Sequence, residues 1–364
     1  MRVLIIRYKK PHGVPEGGEK ASELNSTVVR QIAGEGNVDT CYIHDEARRR
    51  TLYDYLQGIV CMPFGFYFGL TPRRVEEIVR SATAYDVVFI DRSVFGIIAK
   101  RLKEKGYRGR VVCFFHNVET VYFSAKYSSR LNPLRWLVLP CADRNDRWSC
   151  RYADRTIALS RRDDEELYRR YARHADQLIP IAFVDRYWRD AYPVGETSTP
   201  PLCMFLGAHF PANVEGIEWF VKNVLPQVDI RMQIVGKGME KLKDADWMRP
   251  DIQVLGNIPD LEPLFEAADI MVLPIFKGSG MKVKTCESLM YGKNIIGTPE
   301  AWNGYELDYA RAGACCLTAD EFAAALENFC RHPRPRFNAY SRQVFVEKYS
   351  AARMVDKFRN ILEN

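Results

Sequence analysis

The sequence predicts an α/β protein of two domains, each built on a parallel β-sheet with flanking helices. Short apolar runs typical of buried strands alternate with amphipathic helical patterns along the chain. The alternation is interrupted once, at the polar, Pro- and Gly-rich stretch 192–201 (YPVGETSTPP), and then resumes. With 364 residues the chain is long enough for two hydrophobic cores. Alternating strands and helices favour parallel sheets covered by helices.

The individual elements follow from these patterns in chain order. In the first half they are strand Val3–Arg7, helix Ala21–Gly34, strand Val38–Ile43, helix Pro72–Ala82, strand Val87–Asp91, helix Ser93–Lys105, strand Val111–His116, strand Thr156–Ser160 and helix Arg161–His174. In the second half they are strand Leu202–Leu206, helix Val214–Leu225, strand Arg231–Val235, strand Ile252–Leu255, helix Asp260–Ala268, strand Ile270–Leu273 and strand Asn294–Gly297, with helices after residue 317.

These elements predict two Rossmann-like domains that face each other across a ligand-binding cleft. We expect the first domain to span residues 1–195 and the second to span residues 196–345. Residues 346–364 are expected to form a C-terminal helix that packs back towards the first domain.

Composition and charge exclude several classes of protein. No apolar run approaches the roughly 20 residues of a membrane-spanning helix, and the N-terminal apolar run is too short for a secretory signal, so we predict a cytoplasmic protein. The ten cysteines form no C-x-x-C pair, and we expect neither a metal nor a cofactor. Basic residues do not alternate with base-stacking aromatic residues, so no nucleic-acid partner is expected.

Charge is divided unevenly between the two halves. Residues 1–200 carry 33 Lys and Arg against 25 Asp and Glu, a net charge of +8. The rest of the chain carries 19 against 21, a net charge of −2. The basic first half is therefore the half expected to face an anionic surface or acceptor.

One segment of the second half, PIFKGSGMKVKTCESLMYGKNIIGTPEAWNGYE, carries the clearest chemistry. An apolar strand leads into a loop with Gly278 and Gly280, which opens a helix carrying Lys282, Lys284 and Glu287. The N–H groups and the positive dipole end of a helix suit a phosphate, and two lysines add positive charge. Glu287 could bind a hydroxyl-rich group such as ribose, although a solvated helix glutamate is the alternative. The segment predicts nucleotide or nucleotide-sugar binding.

Three stretches of the second half together resemble a known family. LGAHFPANVEGIEWFVKNVLP, MQIVGKG and VLGNIPDLEPLFEAADIMVLPIFKGSGMKVKTCESLMYGKNIIGT are similar to the donor domain of GT-B glycosyltransferases of the large retaining family 4. The resemblance covers residues 202–306 well. It is weaker in the first half, where it is carried by MRVLII, by Gly17-Gly18-Glu19, by FHNVE at 115–119 and by ALSRRD.

The resemblance implies a role for several residues. Glu287 matches the second glutamate of the family's E-x7-E motif, which binds the donor ribose, and Lys284 or Lys282 stands where a lysine neutralises the diphosphate. Gly207 stands where the backbone approaches the β-phosphate. Further donor-side residues are Asn257 and Ile258 against the nucleobase, Lys237 near phosphate, and the loop residues Gly278, Ser279 and Gly280. The alternative for Lys237 is that it is a turn residue without contact to a ligand.

Ser279 is where the sequence departs from the family. The first glutamate of the E-x7-E motif would stand eight residues before Glu287, and serine occupies that position here. The change removes a side chain expected near the sugar hydroxyls but leaves the phosphate site. The sugar is therefore expected to be recognised differently.

Candidate residues of the first half are ascribed to the sugar and the acceptor. His116 matches a histidine that reaches the transferred sugar across the cleft, with a satisfied core imidazole as the alternative. Asp91 and Glu119 are expected on the acceptor side, although Asp91 could cap a helix and Glu119 could cap a helix or pair with an arginine. Gly17 and Gly18 are expected to let the backbone approach a ligand, with a plain turn nearly as favoured.

Two features bear on a membrane partner. Arg144, Arg147, Arg151 and Arg155 share one helical face, downstream of an apolar stretch that includes Leu134 and Trp136. Such a face can hold a protein on an anionic membrane, although solvated arginine faces are commoner. The apolar stretch 57–70 is either an acceptor-side loop or a buried helix.

Taken together, the residues and the resemblance predict a glycosyltransferase. It would move a sugar from a nucleoside diphosphate sugar to a glycan or lipid-linked acceptor in surface polysaccharide biosynthesis, with retention and without a metal. His116, Lys284 and Glu287 are the expected catalytic residues. A nucleotide-sugar epimerase of the GT-B class and a non-catalytic nucleotide-sugar-binding relative remain the alternatives.

Overall fold

The computed structural model describes residues 1–10, 17–44, 52–127, 131–189, 192 and 195–363, without the side chains of residues 17 and 52–55. The chain divides into two compact units. The first comprises residues 1–180 together with 354–364, and the second comprises residues 181–353. The boundary therefore lies before the expected position at 195/196, and the stretch 192–201 belongs to the second unit. Its residues 193 and 194 lie outside the described residues.

The first unit contains a six-stranded parallel sheet in the order β2-β1-β3-β4-β5-β6. The strands are β1 (Val3–Lys9), β2 (Val38–His44), β3 (Val87–Ile90), β4 (Arg110–Phe115), β5 (Arg155–Ala158) and β6 (Gln177–Leu178). The helices are α1 (Gly17–Ala33), α2 (Leu52–Cys61), α3 (Pro72–Ala82), α4 (Gly96–Glu104), α5 (Glu119–Lys126), α6 (Pro133–Tyr152) and α7 (Arg161–Tyr171). Every residue of β3 is buried, as expected for a parallel strand covered on both faces.

The second unit repeats this arrangement, with strand order β12-β11-β10-β7-β8-β9. Its strands are β7 (Leu202–Leu206), β8 (Arg231–Val235), β9 (Gln253–Leu255), β10 (Ile270–Leu273), β11 (Asn294–Gly297) and β12 (Gly313–Cys315). Its helices are α8 (Pro211–Asn223), α9 (Glu262–Ala267), α10 (Val283–Met290), α11 (Pro299–Trp302), α12 (Tyr309–Ala312), α13 (Ala319–Arg331) and α14 (Ala339–Val344). A π-helical turn, Phe345–Tyr349, leads to the last helix, α15 (Ala351–Glu363).

The C-terminal residues pack on the sheet of the first unit. The ring of Phe358 lies parallel to that of Phe114, with centroids 6.2 Å apart, and 6.1 Å from that of Phe89. Arg110 donates a hydrogen bond to the carbonyl of Leu362. The buried side chains of Met354, Phe358, Ile361 and Leu362 therefore belong to the core of the first unit.

Most predicted elements are present with small shifts at their ends, but three predictions need correction. Arg155, predicted on one helical face with Arg144, Arg147 and Arg151, begins β5 after α6 has ended at Tyr152. The predicted helix over 93–105 begins as a 3-10 turn, Ser93–Phe95, before α4 starts at Gly96. Lys282 was expected inside a helix but has extended backbone at the N-cap of α10, with φ −90° and ψ 112°. Its side chain therefore leaves from the loop that precedes the helix.

Candidate functional site

Each sheet has a point at which the chain reverses its direction of winding. In the second unit β7 lies between β8 and β10, so the connections that follow β7 and β10 depart to opposite sides. A crevice forms at the carboxyl ends of the strands at such a point, and open α/β sheets bind their ligands there. Gly207 follows β7, and the loop 274–282 follows β10. The sheet thus brings together two stretches that lie far apart in the sequence.

Lys284 lies at this point of the second unit. Its ammonium donates a hydrogen bond to Asn213 Oδ1 at 2.8 Å and lies 4.1 Å from the centroid of the Phe205 ring. The amide of Asn213 in turn donates to the carbonyl of Ala208 at 2.8 Å. Asn213 therefore joins the loop after β7 to the helix after β10.

Gly207 makes the position of this ammonium possible. A Cβ at residue 207 would lie 2.8 Å from Lys284 Nζ and 2.9 Å from Asn213 Nδ2. These distances are shorter than real Cβ contacts, so any larger residue would displace the lysine or the asparagine. A bare backbone beside an ammonium is also what a phosphate group requires for close approach.

Burial perturbs the ionisation of Lys284. Removal from water, together with the nearby positive charge of Lys282, lowers the pKa of Lys284 to about 7, while the carboxylate of Glu287 acts in the opposite direction. The lysine therefore titrates near neutral pH in the unliganded protein. An anion placed beside it would favour the charged form.

Lys282, the other candidate lysine, is engaged by its own loop. Its ammonium donates to the carbonyl of Gly280 at 2.8 Å and forms an ion pair with Glu300 at 2.7 Å. The backbone carbonyl of Lys282 accepts a hydrogen bond from the Tyr305 hydroxyl at 2.7 Å. Gly280 has φ 62°, in the left-handed region that glycine adopts without strain. These contacts show that Lys282 helps to hold the loop, whereas the ammonium of Lys284 lies beside Gly207.

The remaining donor-side candidates follow the carboxyl ends of the same sheet. Glu287 is buried on α10, within electrostatic reach of Lys284, and Ser279 is half-buried in the loop with Gly278. Lys237 is exposed after β8. Asn257 and Ile258 follow β9, two strand spacings or about 10 Å from β7. This separation is suitable for the distance between a diphosphate and a base.

The first unit has a polar cluster at the corresponding point of its own sheet, where β1 lies between β2 and β3. Asp91 Oδ1 accepts hydrogen bonds from Asn25 Nδ2 at 2.8 Å and from His116 Nε2 at 3.1 Å. Ser22 Oγ lies 3.5 Å from the same imidazole nitrogen. Asp91, Asn25 and His116 are all buried. Because a carboxylate only accepts, this pairing puts the imidazole proton on Nε2.

Asp91 keeps one oxygen without a hydrogen-bond partner among the described residues. This atom, Oδ2, is buried, and a buried unpaired carboxylate oxygen is costly. Such an oxygen at the carboxyl end of a parallel strand is typical of a site where a ligand or a water molecule donates the missing hydrogen bond. Asp91 is thus paired with Asn25 and His116, and among the described residues its side chain does not cap the turn Ser93–Phe95 or α4.

The other first-unit candidates lie in different surroundings. Glu119 is fully buried and forms an ion pair with Arg92, with atoms 2.7 Å apart, which is the arginine pairing considered as its alternative role. Gly17 and Gly18 begin α1, and a Cβ at Gly18 would have no heavy atom within 4 Å. The expected acceptor-side roles of these residues stay predictions. Within the described part of the chain, no group of three or more His, Cys, Asp or Glu residues could hold a metal ion.

Comparison with protein families finds a match in the second unit. Residues 200–332 match the model of the family described as glycosyl transferases group 1. The matched range lies within the second unit. The matched range includes Gly207, Asn213, Lys284 and Glu287. The predicted resemblance to this family over residues 202–306 is confirmed, and the match bears out the predicted glycosyltransferase class.

Solved structures share the fold over the full length of the chain. The sucrose-phosphate synthase of Thermosynechococcus elongatus is 14% identical, with a TM-score of 0.70 and coverage of 100% of both chains. The HepE protein of Anabaena in complex with UDP is 13% identical, with a TM-score of 0.69 and the same coverage. The lipopolysaccharide outer core galactosyltransferase WaaB is 12% identical, with a TM-score of 0.68, covering 100% of this chain and 99% of its own. The GT-B fold is confirmed. No curated protein sequence matches the chain.

Sequence reasoning missed several residues of the two clusters. Asn213 lies on α8, six residues after Gly207, and bonds to Lys284. Phe205, which the sequence pattern predicts as a core residue of β7, contacts the ammonium of Lys284. Ser22 and Asn25 lie one turn apart on α1, a spacing that places them on one helical face. That spacing was the available signal for the pair. Nothing in the spacing of Asn213 and Lys284 indicated their contact.

Proposed function

We propose that the protein transfers a sugar from a nucleoside diphosphate sugar to a glycan or lipid-linked acceptor. The observation that carries this proposal is the position of Lys284, beside the bare backbone of Gly207 and hydrogen-bonded to Asn213. An ammonium at the reversal point of a parallel sheet is a site for a phosphate-bearing ligand. The family match of residues 200–332 supports sugar transfer as the reaction.

A nucleotide sugar is the donor that this surface would accept. HepE has been solved with UDP, with UDP and glucose, and with UDP-glucose. We propose that the diphosphate of the donor lies against Lys284 and Gly207, with the ribose at Glu287 and the base near Asn257 and Ile258. Ser279 replaces the glutamate expected at the sugar, which supports a donor sugar recognised by other contacts.

Charge stabilisation is the proposed source of catalysis. Negative charge builds up on the β-phosphate as the bond to the sugar breaks, and a protonated Lys284 would stabilise it most in the transition state. We propose that His116 contacts the transferred sugar and that the anomeric configuration is retained. We propose further that Lys284 stabilises the leaving diphosphate, a role that a metal ion has in other transferases. No covalent glycosyl-enzyme intermediate is proposed, since no carboxylate pair of the glycosidase type is evident.

The acceptor and cellular setting complete the proposal. We propose a role in surface polysaccharide biosynthesis in the cytoplasm, with peripheral contact of the basic N-terminal half with the inner face of the membrane. The net charge of +8 over residues 1–200 supports that orientation. No helix among the described residues is both long and apolar enough to cross a membrane.

Release of nucleoside diphosphate in the presence of saccharide and lipid-linked acceptors tests the reaction. We expect Glu287→Ala to lower turnover strongly, whereas Glu218→Ala, a change of a partly exposed helix glutamate paired with Lys222, should leave it unchanged. A product that forms from the donor without acceptor would favour the epimerase. Donor binding without any turnover would favour the non-catalytic relative. Unchanged glycosylation by a folded Glu287→Ala variant would contradict the proposed donor site.

A further inference from the structure

A cavity of about 510 Å³ lies beside the first half of α6 in the first unit. We call it the α6 cavity, and its lining residues, half of them apolar and half polar, are Thr120, Arg135, Trp136, Leu139, Pro140 and Asp143. Trp136, Pro140 and Asp143 follow one another at intervals of four and three residues, so they lie on one face of the helix. The volume is within the range of about 300–1,000 Å³ that small-molecule sites have.

The α6 cavity lies on the ligand-binding side of the first sheet. Thr120 follows the end of β4 by five residues. Helix α6 ends at Tyr152, just before β5 begins, and Trp136 lies about 24 Å from that end along the helix. The four residues of β5 span only about 13 Å. Trp136 therefore lies beyond the carboxyl edge of the strands, where Asp91 and His116 also lie and where open α/β sheets bind their ligands.

The apolar part of the α6 cavity fits one face of a sugar ring. Trp136 lines the cavity and is 69% exposed, and Leu139 and Pro140 extend its apolar wall. A pyranose ring has a face made of C–H groups. Packing that face on an indole ring removes apolar surface of both partners from water.

Pro140 adds a backbone acceptor to the wall. It lies inside α6, and because proline has no N–H, the carbonyl of Trp136 lacks the donor that a helix normally supplies from four residues ahead. Such a carbonyl needs a hydrogen bond from water or from a ligand. Since both residues line the cavity, a ligand hydroxyl there can supply it.

The polar side chains of the α6 cavity both accept and donate. Asp143 accepts hydrogen bonds from the Tyr171 hydroxyl at 3.1 Å and from Arg147 at 3.4 Å, and the two oxygens of a carboxylate have room for further donors. Arg135 donates from Nη1 to two backbone carbonyls, which fixes its guanidinium at the cavity wall. Hydroxyl groups donate as well as accept, so a hydroxyl-rich ligand can bond to both side chains.

Thr120 is held in place by a buried carboxylate. Asp146 accepts from the backbone N–H of Thr120 at 2.9 Å and from its hydroxyl at 2.8 Å, and also from the Ser93 hydroxyl at 2.7 Å. Thr120 and Asp143 are joined through Tyr171, whose hydroxyl lies 3.1 Å from the oxygen of Thr120. The polar wall is thus organised before a ligand arrives, which lowers the entropy cost of binding.

Charge at the α6 cavity favours a neutral ligand. The carboxylate of Asp143 repels a phosphate or carboxylate group, and the guanidinium of Arg135 repels a cation. The two lining charges are opposite in sign. A ligand without charge but with many hydroxyls meets neither repulsion.

We propose that the α6 cavity binds a neutral sugar unit of the acceptor. Its ring packs on Trp136, and its hydroxyls bond to Asp143, to Arg135 and to the backbone carbonyl of Trp136. This inference deepens the proposed glycosyl transfer and rests on it, because it names a saccharide as the part of the acceptor that the first unit recognises. A lipid-linked acceptor would then be bound through its sugar.

Saturation-transfer NMR of the full chain with the methyl glycosides of glucose, galactose, mannose and N-acetylglucosamine tests this site. We expect at least one glycoside to bind in the absence of donor. Trp136→Ala should raise its Kd by about 10-fold or more, because the aromatic face is lost. Asp143→Ala should raise it by about 10-fold through loss of a charged acceptor. Trp188→Ala, at a tryptophan of the second unit that is 65% exposed, is the matched control and should bind like the wild type.

Several results would overturn the proposal. If no glycoside binds, or if Trp136→Ala binds as tightly as the wild type, the α6 cavity is not a saccharide site. Binding of inorganic phosphate or tetramethylammonium that Trp136→Ala abolishes, without binding of any glycoside, would assign the cavity to an ion.

Stabilisation by nucleotide sugars, measured in the same preparations, separates this proposal from the proposed glycosyl transfer. It should be the same in Trp136→Ala and in the wild type. If a glycoside binds at the α6 cavity but no nucleotide sugar stabilises the wild type, glycosyl transfer is contradicted and the cavity loses its acceptor role. If nucleotide sugars stabilise the wild type but no glycoside binds, the α6 cavity is ruled out as the sugar site and the donor site stands.

Discussion

The two units use the same arrangement of strands for different chemistry. Each sheet has one reversal point, at β1 between β2 and β3 in the first unit and at β7 between β8 and β10 in the second. At that point the second unit places an ammonium beside a bare backbone, with Lys284, Asn213 and Gly207. The first unit places a carboxylate there, with Asp91 held by Asn25 and His116.

The two clusters differ in how firmly their charged groups are built into the fold. Asp91 is buried and accepts from two side chains that themselves come from α1 and the end of β4, so its removal would leave donors unpaired in the core. Lys284 donates one hydrogen bond, to Asn213, and burial lowers its pKa. Because burial destabilises the charged form of Lys284, an anionic ligand beside it would stabilise that form. We therefore expect changes in the second unit to affect function with little loss of stability, and changes in the first unit to affect both.

Replacing Lys284 should produce the largest effect. We expect Lys284→Ala to lower kcat by about 10²–10³-fold, because it removes the charge that stabilises the leaving diphosphate. Its melting temperature should not fall, since the ammonium is desolvated in the unliganded protein. Lys277→Ala is the control, because Lys277 is an exposed lysine of the same loop, paired with Glu215. If Lys284→Ala turns over as fast as Lys277→Ala, the proposed role of Lys284 in the second unit is wrong.

Replacing Asp91 should cost stability. We expect Asp91→Ala to lower the free energy of unfolding by about 1–3 kcal/mol, because Asn25 and His116 lose a buried acceptor. Denaturant unfolding followed by circular dichroism measures this. Asp39→Ala, at a largely exposed carboxylate of β2, is the control and should change little. Equal stability of the two variants would show that the first-unit cluster is not part of the core.

Donor affinity should depend on pH through Lys284. The pKa of Lys284 is about 7 in the unliganded protein, and a bound diphosphate raises it. Between these two pKa values binding takes up a proton, so Kd should rise by up to about tenfold per pH unit above pH 7 and stay level below it. Isothermal titration with an intact nucleotide sugar measures this. Lys284→Arg, which stays charged, should flatten the profile; a wild-type Kd that is level from pH 6 to 9 would contradict the role of Lys284.

The glycines of the two units should respond differently to alanine. Gly207→Ala should weaken donor binding by about 10-fold, since its Cβ would displace Lys284 or Asn213, both near the ends of side chains that can shift. Gly18→Ala has open space in α1 and should stabilise the fold by up to about 1 kcal/mol without changing donor affinity. Thermal melts with and without nucleotide sugar compare the two. The opposite pattern would assign the close ligand approach to Gly18.

Prediction from sequence succeeded where local patterns decide the outcome. Strands such as β3 and β10 are short apolar runs bounded by turns, and a parallel sheet follows from their alternation with helices. The order of strand, glycine loop and helix predicted that Lys284 and Glu287 follow the carboxyl end of β10. The positions of these residues at one edge of one sheet then follow from the direction of the strands.

Tertiary contacts decide the features that were not predicted. The sequence did not distinguish Lys282 from Lys284, two residues apart, and only the structure shows that Lys282 is bonded to Gly280 and Glu300. The stretch that forms α2 is equally apolar as a buried helix or as an exposed one, and only its packing through Gly58 on Phe68 distinguishes them. Contacts across sequence, such as Asn213 with Lys284, leave no periodic signal.

Binding of nucleotide sugars to wild type and to Lys284→Ala tests the central claim most directly. In a thermal-shift screen of UDP-, GDP- and dTDP-sugars, we predict that at least one raises the melting temperature of the wild type, because a ligand that binds the folded state stabilises it by mass action. The same ligand should not stabilise Lys284→Ala, whereas Lys277→Ala should respond like the wild type. A wild type that no nucleotide sugar stabilises, or a Lys284→Ala variant stabilised equally well, would contradict the assignment of the second unit as the donor site.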